Sequence, residues 1–93
     1  MLGRRRGLLR LKNTLLSAFL DTDATPDVRA MLRVAASEVL AGTPPGRRMF
    51  NFNCYDVTLD AEAGSVLLED VLDASPAGTA EFKLAEFVAE MAK

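Results

Sequence analysis

One break divides this chain into two kinds of sequence. Gly42-Thr43-Pro44-Pro45-Gly46 cannot lie inside a helix, because proline lacks the N–H and its ring clashes with the preceding turn. Before the break, apolar residues recur at helical spacing. After it they alternate. The chain has 93 residues, of which 49% are hydrophobic and 26% charged, the balance of one folded domain and not of a disordered tail. We therefore read residues 1–93 as a single small domain, with residues 1–5 as a flexible basic extension.

Two helices are expected before the break. The first spans about Arg6 to Leu20 and places Leu8, Leu9, Leu11, Leu15, Leu16, Phe19 and Leu20 across a wide apolar arc. An arc this wide is consistent with burial between a second helix and a sheet, or with a homodimer surface on helix one. The second helix is framed by Thr25 as N-cap, Pro26 at the first helical position and Asp27 at the positive end of the helix dipole. Val28, Met31, Leu32, Ala35, Val39 and Leu40 mark its apolar side, and Gly42 suits the residue past its end.

After the break, Met49 to Asp60 is rich in aromatic and β-branched residues. Phe50, Phe52 and Cys54 alternate, then Tyr55, Val57 and Leu59 alternate on the other parity. One strand with a bulge near Cys54-Tyr55, or one buried on both faces, is expected. Asp60 to Gly64 reads as a hairpin loop, Ser65 to Leu72 as the returning strand, and Thr79 to Phe82 as a short third strand. Leu84, Phe87, Val88 and Met91 give the apolar face of a last helix. The order is α-α-β-β-(β)-α, an α+β domain with an antiparallel hairpin or small sheet and helices on one face.

Composition excludes much chemistry. The chain has no histidine and one cysteine, so histidine-based triads, histidine zinc sites and intrachain disulfides are impossible within it. Cys54 has no neighbouring base in sequence and reads as a small buried hydrophobe. Asp21-Thr22-Asp23 opens like an EF-hand loop, but Pro26 and Leu32 occupy the positions that need glycine and glutamate; a helix cap explains it better. Carboxylate acid–base work has only composition behind it, so no enzyme activity, no metal and no cofactor is expected. No run approaches the roughly 18 apolar residues of a membrane span, and a cytoplasmic location is expected. The acid-poor, arginine-rich start also fits an organelle presequence or a membrane-surface helix.

Charge is unevenly divided. Residues 1–48 carry nine basic and four acidic side chains, and residues 49–93 carry two and nine; the chain as a whole has net charge −2. Asp56, Asp60, Glu62, Glu69, Asp70 and Asp73 crowd the hairpin region. They read as a solvated face, a divalent cation site or an acidic surface that docks a basic protein. Asn51, Asn53 and Tyr55 would add a polar–aromatic patch on one sheet face, or a plain solvent-facing side. Arg47-Arg48 reads as an edge guard or as a partner for the acidic hairpin. In the rival class, Arg4, Arg5, Arg6, Arg10 and Lys12 contact nucleic-acid phosphates.

The stretches Phe50-Asn-Phe-Asn-Cys-Tyr-Asp-Val-Thr-Leu-Asp60, Gly64-Ser-Val-Leu-Leu-Glu-Asp-Val-Leu-Asp73 and Phe82-Lys-Leu-Ala-Glu-Phe87 together resemble small bacterial immunity proteins of toxin–immunity systems, including those of contact-dependent inhibition. The resemblance covers about half of the chain and implies a hairpin followed by a short helix, no catalytic residues, and a function of masking a toxin. The expected function is thus a non-enzymatic protein-binding protein whose acidic hairpin faces a basic, nuclease-like partner. The alternatives are nucleic-acid binding through the arginines and self-association through helix one.

Overall fold

The computed structural model describes residues 13–93. Helix α1 is described over residues 13–22, followed by α2 (Pro26–Leu40), strands β1 (Arg47–Asn51), β2 (Tyr55–Asp60), β3 (Ser65–Asp70) and β4 (Thr79–Lys83), and α3 (Leu84–Met91). The strands form one antiparallel sheet in the order β1-β2-β3-β4. The fold is α+β, with one strand more than the sequence reading counted. The predicted start of helix one, with Leu8, Leu9 and Leu11, and the extension at 1–5 lie outside the described residues.

The extra strand comes from a turn that the alternation concealed. Met49 to Asp60 is a hairpin and not one bulged strand. β1 ends at Asn51, and the Phe52 N–H donates to the Tyr55 carbonyl at 2.9 Å across Asn53 and Cys54. Turns this short usually need a residue with positive φ, yet among the described residues only Gly42 and Gly64 have one. The support comes instead from Asp23. Its Oδ2 accepts from the N–H groups of Cys54 at 2.7 Å and Tyr55 at 2.9 Å. Asp23 is buried just past α1, so a carboxylate 31 residues upstream of Cys54 shapes the turn. The predicted cap role belongs to Thr25, whose hydroxyl accepts from the Val28 N–H.

Tyr55, Val57, Leu59, Val66, Leu68, Ala80 and Phe82 project from one side of the sheet, where they join helix residues in a single core. Phe19 of α1 is the hub. It is fully buried, with its ring centroid 5.6 Å from Tyr55, edge-on, 6.1 Å from Phe52 and 6.4 Å from Phe87. Leu15 and Leu16 are also buried within the chain. The described part of helix one's apolar arc is therefore used inside the fold.

Arginines close the helix ends. Unpaired carbonyls at a helix C-terminus need donors. Arg29 supplies them to Ala24 and Leu20 just after and within α1, at 2.8 and 3.0 Å. Arg33 donates to the Met91 carbonyl of α3 at 2.7 Å, tying α2 to α3.

Candidate functional site

The helix-free side of the sheet presents three rows of side chains. Asn51, Asp56, Glu69 and Thr79 form the first. Met49, Thr58, Leu67 and Glu81 form the second, and Arg47, Asp60, Ser65 and Lys83 the third. Glu81 escaped the sequence reading, although the buried Ala80 and Phe82 on either side of it mark it as outward-facing. Thr58 is 3% exposed, and its hydroxyl has no hydrogen-bond partner among the described residues.

The six acids picked out in the hairpin region separate into two groups. Asp56, Glu69, Asp70 and Asp73 line one hollow at the Asn51–Tyr55 end of the sheet, together with Val71, Ala74 and Thr79. Asp60 and Glu62 line a different hollow at the opposite end, beside Gly42, Gly46 and Arg47. Asp60, Asp70 and Asp73 also organise backbone. Asp60 Oδ1 accepts from the N–H groups of Glu62 and Ala63, Asp70 Oδ1 from Leu72, and Asp73 Oδ1 from Ser75. Ser75, through its hydroxyl and then its N–H, holds the Asp73 carboxyl below the ordinary value. In the acidic hollow, the loop after β3 is thereby held by its own carboxylates. At its tip Leu72 is 84% exposed, beside the exposed Val71.

Among the described residues the cations leave most of the acids without an ion pair. All thirteen acidic residues fall within the described part. Among the described residues only Glu38, with Arg48, and Glu90, with Lys93, form ion pairs. Arg48 also donates to the Pro45 and Thr43 carbonyls, so it binds α2 and the proline segment and not the acidic hairpin. Arg47 stands exposed on the edge strand β1. No three acidic or cysteine side chains among the described residues are placed to hold a metal ion.

The expected polar–aromatic patch does not assemble. Asn51 lies on the helix-free side and donates its amide to Asp56 Oδ1 at 2.8 Å. Asn53 sits in the turn. Tyr55 points the other way, into the core. The turn at Asn53-Cys54 breaks the alternation that would have put the three together. Burial raises the Tyr55 phenol above its ordinary value, and the charges of Asp70, Cys54 and Asp23 add to this. Cys54 is half-buried and free.

Arg4, Arg5, Arg6, Arg10 and Lys12 lie outside the described residues. Among the described residues no helix is long and apolar enough to cross a membrane. Comparisons with protein-family models, curated proteins and solved structures return no match.

Proposed function

We propose that this protein works by binding another protein, and that the acidic hollow with its Leu72 tip is the contact. The carrying observation is a combination. Four carboxylates line one hollow without a cation partner among the described residues, and the nearly fully exposed Leu72 follows Val71 of its lining. Protein interfaces pair an apolar anchor with a polar rim, and uncompensated charge steers a partner of opposite sign. The spread of the carboxylates suits several long cationic side chains. Asp70 and Asp73 fix the loop backbone in advance, which reduces the ordering cost of binding.

In its sharper form the reading is an inhibitor or immunity protein that masks a basic effector of the nuclease kind. An acidic surface of this type occupies the groove where a phosphate backbone would otherwise bind. The protein needs no catalytic residues for this role.

The test compares proteins retained at low salt by the native chain, by Glu69→Lys and by Leu72→Ser. Neither substituted side chain makes a hydrogen bond or ion pair among the described residues. A basic protein held stoichiometrically by the native chain and lost from both variants supports the reading. Retention unchanged in both variants overturns it. So does nucleic acid in place of protein, which would move function to Arg4, Arg5, Arg6, Arg10 and Lys12.

A further inference from the structure

Among the described residues the sheet has two free edges, and they are not alike. Along β1 the Phe52 N–H bonds Tyr55 and the Gly46 carbonyl accepts from Ala61, so the even-numbered residues face β2. Arg47, Met49 and Asn51 therefore turn their N–H and C=O groups outward. By the same alternation, from the Leu84 N–H to the Gly64 carbonyl, β4 turns Thr79, Glu81 and Lys83 outward. The middle residue of the β4 edge is an acid. The middle residue of the β1 edge is Met49, 57% exposed.

We infer that two copies of this chain join through their β1 edges, antiparallel and with Met49 on the two-fold axis. This register satisfies the main-chain groups of Arg47, Met49 and Asn51 in both copies and makes one eight-stranded sheet. Met49 meets Met49 of the second copy, and Arg47 meets Asn51. The next strand beyond Asn51 carries Asp56 in the same row, about 10 Å from Arg47 at two strand spacings, within reach of an arginine side chain. Arg47 forms no ion pair among the described residues, although Asp60 stands opposite it on β2, and Asn51 uses its amide N–H on Asp56, leaving its carbonyl to accept. The charge match therefore occurs twice, as a two-fold axis requires.

The covered side matches as well. The same register sets Phe50 opposite Arg48 of the second copy. Beside them a groove of about 410 Å³ between α2 and β1 exposes Met31 and Val34. The two-fold axis brings the two grooves edge to edge, so these apolar side chains leave water together. Pairing through β4 in the equivalent way would oppose Glu81 to Glu81, a repulsive cross-strand pair. The β1 dimer shares Asp56 with the acidic hollow and leaves Glu69, Asp70 and Asp73 to the proposed partner, so the dimer is measured on the chain alone, with no partner present.

The test is the mass of the full chain against concentration by analytical ultracentrifugation. A monomer–dimer equilibrium is expected, weakened by about tenfold or more in Met49→Lys, which puts two ammonium groups on the axis. Arg47→Asp should weaken it as well, and adding Asp56→Arg to that variant should restore it. Circular dichroism checks that each variant remains folded. In a Cys54→Ser background, Met49→Cys should cross-link copies on mild oxidation and Glu81→Cys should not. A monomer at every concentration overturns the inference. So does a dimer indifferent to Met49→Lys, a growing series of larger species, or cross-linking through Glu81→Cys alone.

Discussion

The two sides of this sheet are built from the same strands, residue by residue in alternation, yet they obey different rules. The helix-covered side is closed by aromatic and aliphatic groups around Phe19, and its few polar groups are satisfied by exact partners such as Asp23 with the turn. The open side carries exposed Met49 and, among the described residues, carboxylates without cations and a buried hydroxyl without a partner. The difference teaches where stability and recognition reside. Substitutions on the covered side should change folding. Those on the open side should change association and leave folding nearly untouched.

The largest expected effect is at the hub. Phe19→Ala removes a fully buried ring and leaves a cavity, so urea unfolding should show a loss of about 3–5 kcal/mol. A loss below about 1 kcal/mol would mean that α1 is not part of the core. Next comes Asp23→Ala, which strips the acceptor from two N–H groups. A cost of about 1–3 kcal/mol per group left unsatisfied is expected, with amide exchange quickened at Cys54 and Tyr55. Asp23→Asn should recover part of it, since its carbonyl still accepts.

Thr58→Val tests the comparison from the other direction. It replaces an unpartnered buried hydroxyl by a methyl of the same shape, so a stabilisation of about 1 kcal/mol is expected. A destabilisation would show that the hydroxyl has work within the monomer. The pH dependence of Tyr55 belongs to the covered side. Its phenol is raised above 10.0 in the folded state, so the native form holds its proton more tightly than the unfolded chain. That stability is fully present below about pH 10 and is lost as pH rises through the folded value. Tyr55→Phe should flatten the alkaline limb of a denaturation series. The smallest effect is at Glu69→Lys, where unfolding should shift by no more than about 0.5 kcal/mol while partner binding falls. A large loss of stability there would erase the distinction between the two sides.

Much of this was legible in the chain. Thr25-Pro26-Asp27 and Gly42 bracket α2, and the structure places its ends there. Gly64, with φ 67°, closes the β2–β3 hairpin as its position implied. The turn at Asn53-Cys54 was not legible, because no glycine or proline marks it and its support lies far away at Asp23. The grouping of the acids was equally hidden. Asp60 and Glu62 are neighbours of Asp56 in sequence, but strand length carries them to the opposite end of the sheet. Asp70 and Asp73 come back beside Asp56 only because β3 runs antiparallel to β2.

Local order and exclusion were thus determined by the sequence alone. Caps, prolines and period set the order of elements, and the missing histidine removed whole classes of chemistry, because each depends on residue type and near neighbours. Three outcomes needed the tertiary structure. Arg29, Arg33 and Arg48 went to carbonyls and to Glu38, so none of these three neutralises the acidic hollow. Asp23 became the support of a distant turn. The β1 edge was left with a methionine at its centre and the β4 edge with a glutamate. Each depends on which groups the packing brings within hydrogen-bonding distance, and that is a property of the fold and not of spacing along the chain.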